Sequence, residues 1–285
     1  MNGGICSSRM RKLFNNTYGK SIIIPMDHGF YVGNIRGLED PYRITETLIE
    51  EGVDATILSF GMGKITNALF TQRNAPARIL ALDYTLFSNI PGEHHGVQEF
   101  ELFVTVEQAL KWGFDAVKVL LIWGLDKDIQ MKEIKTIGKI VSECDRWDVP
   151  LMIEPVLWGT HIPPEKKSDP DTIAHTCRIA AEMGADILKV PYTGNIDHFR
   201  GMVEKTRIPI VILGGADMSS TQEVLITARD SVRAGGKGIV FGRSVWQNGN
   251  MRNMIRALKD VVYKEEDVTD VMRRFELEST AEYTK

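Results

Sequence analysis

Eight short runs of apolar residues recur along the chain, and segments with a helical pattern separate them. Near-continuous apolar strands are typical of a parallel sheet that is covered on both faces. The runs are SIIIPMD (21–27), DATILSF (54–60), ARILALD (77–83), DAVKVLL (115–121), PLMIEPV (150–156), ADILKV (185–190), PIVILGG (209–215) and KGIVFG (237–242). The pattern therefore predicts eight parallel strands.

The segments between the runs carry apolar residues three or four positions apart, as one face of a helix requires. In residues 131–147 this face consists of Ile134, Ile137, Ile140, Val141 and Cys144. Strands that alternate with helices predict an α/β fold, specifically a (β/α)8 TIM barrel. An open doubly wound sheet would show G-x-G-x-x-G after its first strand, and the chain has MDHGFYVGN there.

A short phrase repeats before three of the predicted strands and supports the same architecture. In EEGVDATIL, KWGFDAVKV and EMGADILKV, a helix end is followed by a glycine and by a strand that opens on aspartate. No linker divides the chain, so we expect one barrel over residues 1–263. The highly charged residues 264–285 have little periodicity and predict a surface tail or an oligomer arm.

Composition narrows the class of protein. The 285 residues carry 34 basic and 38 acidic side chains, a formal net charge of −4, which argues against nucleic-acid binding. The three cysteines have no metal-binding spacing, which favours a reducing compartment. No apolar run is long enough to cross a membrane, and the N-terminus lacks a signal-peptide core. We expect a cytoplasmic protein without nucleic-acid or membrane partners.

Four ionisable residues lie at or near the C-terminal ends of predicted strands, where barrel enzymes place their catalytic groups. Asp27 follows the first strand, and Lys118, Glu154 and Lys189 lie in the fourth, fifth and sixth. Side chains alternate across a strand, so each of the four shares a face with the residue two positions earlier. Those residues are Pro25, Ala116, Met152 and Ile187. If this face is the interior, two lysines and two carboxylates converge on one cavity.

This set of side chains suits chemistry at a carbonyl group. A lysine amine is a nucleophile only when neutral, and burial together with a nearby cation lowers a lysine pKa. Lys118 could provide that cation for Lys189, whose amine would attack a ketone and form a Schiff base. Asp27 and Glu154 are candidate proton donors and acceptors. His28 is a further candidate, either for proton transfer or for orienting its neighbour.

A structural role is the alternative for the same residues. A buried lysine is commonly ion-paired, and Lys118 with Glu154 could form a barrel salt bridge. His94 and His95 could bind a metal, but adjacent histidines in a strand face opposite ways and no H-x-x-x-H spacing occurs, so a surface or lid loop is favoured. We therefore expect no metal.

Glycines after the last two strands predict a phosphate site. In many barrels the backbone N–H groups of these loops and a short helix bind phosphate. Gly214, Gly215 and Gly242 would allow close approach of the anion, and Arg243 would add a positive charge. Ordinary strand-to-helix turns are the alternative explanation.

Four motifs together resemble the DhnA-type class I aldolases. They are GKSIIIPMDHG, ILKVPYTG, ILGGADMSS and GIVFGRSVWQ, and the resemblance covers residues 9 to about 262. That group includes archaeal-type fructose-bisphosphate aldolase, the aminodideoxyheptulosonate synthases and the LsrF-type thiolase. The resemblance implies a TIM barrel, Lys189 as the Schiff-base residue, Asp27 as the aspartate of the DHG motif, and phosphate binding after strands 7 and 8. More distantly, Lys118 and Glu154 look like the corresponding residues of tagatose-bisphosphate-type class I aldolases.

The chain departs from the archaeal-type pattern at one place. Archaeal-type members carry a proton-donating tyrosine after strand 5, and this chain has EPVLWG, with Val156 at that position. Glu154 could replace the tyrosine. The sequence thus predicts a homo-oligomeric aldolase that acts on a phosphorylated ketose or aldehyde and needs no cofactor beyond the Schiff base. A thiolase acting on a phosphorylated diketone and a synthase using an amino-acid aldehyde are alternatives, followed by a metal-dependent lyase and a non-catalytic phosphosugar-binding barrel.

Overall fold

Each of the eight apolar runs forms one strand of a closed parallel barrel. The strands are β1 Ser21–Pro25, β2 Ala55–Leu58, β3 Ala77–Ala81, β4 Ala116–Ile122, β5 Leu151–Val156, β6 Ile187–Pro191, β7 Ile210–Leu213 and β8 Gly238–Val240. Every strand pairs with its neighbours in the chain, and β8 pairs with β1 to close the circle. This computed structural model describes residues 7–85, 100–214 and 220–278. The predicted (β/α)8 barrel is confirmed, because β1 pairs with β8 and an open sheet would not close into a circle.

Helices lie between the strands and cover the outside of the barrel. In the described ranges they are α1 Ser8–Lys12, α2 His28–Val32, α3 Pro41–Glu50, α4 Phe60–Ile65, α5 Val106–Lys111, α6 Lys127–Trp147, α7 Pro170–Glu182, α8 Ile196–Thr206, α9 Thr221–Arg233, α10 Arg243–Trp246, α11 Met251–Tyr263 and α12 Val268–Arg274. Two 3₁₀ turns, Asn67–Thr71 and Pro164–Lys166, and a pair of two-residue antiparallel strands, Asp83–Tyr84 and Glu101–Leu102, complete the elements. None of these helices combines the length and apolar content that a bilayer crossing requires.

The barrel interior is a separate hydrophobic cluster from the layer between strands and helices. It contains the inward-facing residues of the strands, among them Ile23, Ile79, Met152, Ile187 and Val211. Three residues from the N-terminal segment, Met10, Leu13 and Phe14, belong to the same buried cluster. They cover the barrel interior on the side where the strands begin.

The helices bury the faces that the sequence pattern predicts. In α6, Ile137, Ile140 and Cys144 are buried against the barrel. Helix α7 begins with Pro170, and the side chain of Asp169 caps it by accepting a hydrogen bond from the Thr172 N–H group. These are favourable residues for the first turn of a helix, which explains why the helix begins here.

The repeated Gly-x-Asp phrase has a defined role in joining the strands. Each glycine adopts a positive φ, which ends the preceding helix. Each aspartate forms two hydrogen bonds with one residue of a neighbouring strand. The backbone N–H of the aspartate donates to the carbonyl of that residue, and the aspartate Oδ2 accepts from its N–H. The pairs are Asp54 with Ile22, Asp115 with Arg78 and Asp186 with Leu151. The repeat therefore satisfies backbone groups where strands begin.

Part of the predicted charged tail is a docked helix. Residues 264–278 contain α12, in which Val268 and Val271 are buried, and this helix contacts α9 and α11. Arg274 forms ion pairs with Asp260 of α11 and with Glu266. The segment predicted as a surface tail or an oligomer arm thus includes a docked helix, because two apolar residues among many charged ones are enough to dock a short helix. Residues 279–285 lie outside the described residues.

A buried carboxyl group on α6 predicts a loss of stability in mild alkali. Burial raises the pKa of Glu133 to about 8, although it accepts hydrogen bonds from the Ile122 N–H and from Gln130. The folded chain therefore keeps this proton to about pH 8, whereas the unfolded chain releases it near pH ~4.3. The free energy of unfolding therefore falls as pH rises between these values. Between pH 7 and pH 9 it falls by roughly 1 kcal/mol. Urea unfolding of Glu133→Gln should show a smaller pH dependence than the wild type. Identical curves would contradict the prediction.

Candidate active site

The barrel brings the four predicted ionisable residues to one end of its interior. Lys118, Glu154 and Lys189 lie within β4, β5 and β6, and Asp27 follows β1. Their exposed fractions are 2% for Lys118, 6% for Glu154, 8% for Lys189 and 4% for Asp27. The predicted interior neighbours Ala116, Met152 and Ile187 belong to the buried interior cluster. The alternation of side chains along these strands therefore holds, and all four ionisable side chains line one cavity.

Glu154 connects the two lysines. Its Oε2 atom lies 3.0 Å from Nζ of Lys118 and 2.9 Å from Nζ of Lys189. The salt bridge between Lys118 and Glu154, left open by the sequence, is present, and Lys189 shares it. The Glu154 carboxylate thus contacts both ammonium groups. The two lysines do not face each other without an anion between them.

The shared carboxylate determines the charge state of its surroundings. Glu154 is buried, which alone would raise its pKa, but the attraction of Lys118 and Lys189 lowers the pKa to about 2. Burial opposes the charge of Lys118, yet Glu154 and other acidic groups nearby raise the Lys118 pKa. At neutral pH, Lys118 is therefore a permanent cation and Glu154 a carboxylate.

Asp27 and His28 form the wall of the cavity beside β1. The Asp27 Oδ1 atom lies 3.7 Å from Nδ1 of His28, too far for a hydrogen bond, and this nitrogen is buried without a described partner. Burial lowers the pKa of His28 to about 4. The imidazole is therefore neutral at pH 7 and can donate a hydrogen bond to a ligand or accept one from it.

The predicted phosphate residues line the cavity on the side of β7 and β8. Gly214, Gly242 and Arg243 all face it, whereas Gly215 lies outside the described residues. A Cβ atom on Gly242 would lie 2.9 Å from the His28 ring, so only glycine fits there. Burial lowers the pKa of Arg243, which forms no ion pair with any described residue. This wall thus presents the charge of Arg243 to the cavity, and phosphate binding by it stays a prediction.

The cavity has a volume of about 660 Å³, within the range of small-molecule sites. Part of its wall is apolar and comes from the end of β5 and the residues after it, including Val156, Leu157 and Trp158. Val156 has no polar atom in its side chain, so it cannot transfer a proton. The acid and base must therefore come from other residues around the cavity.

Several residues that line the cavity were not predicted from the sequence. Tyr31 lies one helical turn after Asp27, and the Lys118 ammonium is 5.6 Å from the centre of its ring, a distance at which cation–π attraction operates. Its hydroxyl donates a hydrogen bond to the Asp83 carbonyl, and burial raises its pKa. Ser244 follows Arg243 and has a buried hydroxyl without a described partner. The i, i+4 spacing in α2 was the available signal for Tyr31.

Within the described ranges, no group of three or more histidine, cysteine, aspartate or glutamate side chains is arranged to hold a metal ion. His94 and His95, the alternative metal ligands of the sequence analysis, lie outside those ranges.

The chain is similar to known aldolases and to a synthase over most of its length. An uncharacterized aldolase of Saccharolobus solfataricus is 30% identical over 269 residues, covering 93% of this chain and 97% of the relative. A 2-amino-4,5-dihydroxy-6-oxo-7-(phosphonooxy)heptanoate synthase of Streptomyces griseus is 26% identical and covers 90% of each chain. A solved structure of a Schiff-base-forming fructose-1,6-bisphosphate aldolase superposes with a TM-score of 0.78 at 26% identity, covering 90% of this chain and 98% of that chain.

The family assignment rests on a match over most of the barrel. The sequence pattern of the DeoC/LacD family aldolases matches residues 21–248, which include every strand and the four ionisable residues. The chain therefore belongs to the DeoC/LacD family of aldolases.

Proposed function

We propose that the chain acts on a phosphorylated ketose, with Lys189 as the Schiff-base residue, and breaks or forms the adjacent C–C bond. The supporting observation is the single Glu154 oxygen that contacts the ammonium groups of Lys189 and Lys118. A nucleophilic amine beside a proton-transferring carboxylate is what imine formation requires. The permanent charge of Lys118 keeps that carboxylate in place.

Because Glu154 contacts both lysines, how readily it binds a proton depends on whether the Lys189 nitrogen is charged. Two cations hold the pKa of Glu154 at about 2. Lys189 first gives one ammonium proton to Glu154, the base in contact with it. The neutral amine then adds to the ketone, and a second proton moves from nitrogen to oxygen, which gives a neutral carbinolamine. Glu154 now lies beside one cation instead of two, so it retains its proton more readily. Glu154 can then return the proton to the departing hydroxyl group, which leaves as water. The iminium ion that remains is positively charged and restores the ionised carboxylate.

Asp27 is our candidate for the second proton transfer. Cleavage of the C–C bond requires a base for the hydroxyl proton of the leaving carbon, and the electron pair moves into the iminium to give an enamine. Asp27 lines the same cavity from the strand that pairs with β8, whereas Glu154 contacts both lysines. Two carboxylates on different sides of the cavity permit two separate proton transfers.

The substrate class follows from the wall beside β7 and β8. Gly214, Gly242 and Arg243 present flexible backbone and a positive charge, which suit a phosphate group on the ketone fragment. Of the proteins named above, one is a fructose-1,6-bisphosphate aldolase and another is named for a phosphonooxy product. We infer a phosphorylated ketose as substrate and no cofactor beyond the covalent imine. Cytoplasmic location and homo-oligomeric assembly stay predictions from the sequence.

A second candidate is a synthase or thiolase that uses the same lysine with a different carbonyl partner. Val156, which lines the cavity where archaeal-type aldolases are expected to have tyrosine, favours this alternative. The Streptomyces griseus relative is itself named a synthase. Assays with a panel of carbonyl acceptors distinguish the two. Rapid turnover of fructose 1,6-bisphosphate would favour the aldolase.

Borohydride trapping tests the proposal. Incubation with dihydroxyacetone phosphate and borohydride should attach one reduced adduct to the chain, and peptide mass spectrometry should locate it on Lys189. Glycerol 3-phosphate carries the same phosphate but no carbonyl, so it should leave the chain unmodified. An unmodified chain after reaction with a panel of keto-phosphates, or an adduct on Lys118 instead, would reject the proposed role of Lys189.

A further inference from the structure

A second cavity opens at the end of the barrel where the strands begin, opposite the candidate active site. We call it the N-terminal cavity. Its wall consists of residues from α1, from the starts of β2, β3 and β4, and from the segment after the 3₁₀ turn Asn67–Thr71. Its volume is about 500 Å³, within the range of small-molecule sites. No described residue lines both cavities, so a ligand bound here is not the substrate of Lys189.

Basic side chains outnumber acidic ones around the N-terminal cavity. Four basic and two acidic side chains line it, which leaves a net charge of +2. These six residues are Arg11, Lys12, Arg73, Arg78, Asp54 and Asp115. The whole chain has a formal net charge of −4, so this end of the barrel differs in sign from the molecule. An excess of positive charge in a concave site attracts anions.

Both carboxylates of the N-terminal cavity already have partners. The Asp115 Oδ1 atom lies 3.0 Å from Nζ of Lys12, and Oδ2 accepts a hydrogen bond from the backbone N–H of Arg78. The Asp54 Oδ2 atom accepts a hydrogen bond from the Tyr263 hydroxyl. Neither carboxylate forms an ion pair with an arginine of the cavity. The arginine charges are therefore not cancelled by the acidic residues beside them.

The three arginines lack carboxylate partners among the described residues. Arg78 is only 8% exposed, and its guanidinium donates hydrogen bonds to the Asn67 side-chain oxygen and to two backbone carbonyls just after α5, all of them neutral groups. Arg11 and Arg73 are exposed, and their side chains form no ion pair or hydrogen bond with a described residue. Their guanidinium groups remain available for the paired hydrogen bonds that phosphate and carboxylate groups accept.

We propose that the N-terminal cavity binds a small anion with at least two negative charges, carried by phosphate or carboxylate groups, through Arg11 and Arg73. The buried charge of Arg78 adds to the attraction without contacting the ligand directly. Arg11 belongs to α1, whose residue Met10 is buried in the barrel interior, and Arg73 lies in the segment between β2 and β3. A ligand held by both arginines would therefore join α1 to the wall of the barrel.

Calorimetric titration at constant ionic strength tests this site, with inorganic pyrophosphate and tricarballylate as the two probes. The full chain carries Arg243→Gln in every titration, which removes the cation of the candidate active site. At least one probe should still bind, with one site per chain and a Kd below about 1 mM. Adding Arg11→Gln or Arg73→Gln should weaken that binding about tenfold, the usual effect of one charge-assisted hydrogen bond. Both arginines are exposed, so neither change should unfold the chain, which circular dichroism would check.

Arg9→Gln is the matched control, because Arg9 lies on the same helix as Arg11 but does not line the cavity. It should leave the affinity within about twofold of the Arg243→Gln chain. Binding of pyrophosphate alone identifies phosphate groups, and binding of tricarballylate alone identifies carboxylates. The proposal is overturned if neither probe binds below about 1 mM, if Arg11→Gln or Arg73→Gln retains full affinity, or if Arg9→Gln loses as much. Neither probe contains a ketone, so the outcome does not depend on the proposed Schiff base.

Discussion

Replacement of Lys189 with methionine is expected to abolish borohydride trapping and to reduce turnover about 10³-fold or more, because it removes the nucleophile. Methionine is unbranched and apolar, so it fits the buried path of the lysine stem between Ile187 and the cavity. Glu154 keeps its ion pair with Lys118 in this variant, so no buried charge is left alone. The barrel should therefore stay folded, which circular dichroism and thermal unfolding would check.

Lys189→Arg separates covalent catalysis from a structural ion pair. Arginine keeps a positive charge beside Glu154 but stays protonated at working pH, so it cannot attack a ketone. If Lys189 acts only as the partner of Glu154, the arginine variant should retain much of the wild-type turnover. We expect it instead to be as inactive as the methionine variant. Substantial turnover by Lys189→Arg would exclude the Schiff-base mechanism at this residue.

Strand geometry explains why the sequence was informative about the site. Side chains alternate along a strand with a period of two, so the apolar residues at positions 116, 152 and 187 predicted the inward direction of Lys118, Glu154 and Lys189. The C-terminal ends of parallel strands meet at one end of a barrel, which brings residues from β1, β4, β5 and β6 together. No knowledge of side-chain conformation is needed for either step.

The pairing within the site did not follow from the same rules. The contact of Glu154 with both lysines depends on side-chain torsions and on the register between β4 and β5, in which Glu154 lies opposite Leu120 and not opposite Lys118. Tyr31 reaches Lys118 from a short helix, to which the period of two does not apply. Helix α12 was not predicted either, because two buried valines in a charged segment give almost no helical periodicity.

Replacement of Glu154 with glutamine should lower kcat by about 10²- to 10⁴-fold, the usual contribution of a positioned acid or base. Glutamine has nearly the same shape but cannot exchange a proton, and it removes the anion that Lys118 and Lys189 share. Two ammonium groups, each bonded to the same oxygen in the wild type, would then lie side by side in a buried site, so a loss of stability should accompany the loss of activity. Because the amine of Lys189 remains, slow borohydride trapping should persist.

Glu133→Gln supplies the matched control for this change. Glu133 is as deeply buried as Glu154 and hydrogen-bonds to the end of β4, but it does not line the cavity. Since burial raises its pKa to about 8, Glu133 is protonated at pH 7 and glutamine imitates that state. Its turnover should stay within a few-fold of the wild type. A Glu154→Gln variant that retains kcat within tenfold of the wild type would show that Glu154 is only an ion partner. A selective loss in Glu154→Gln, with trapping still detectable, would separate proton transfer by Glu154 from nucleophilic attack by Lys189.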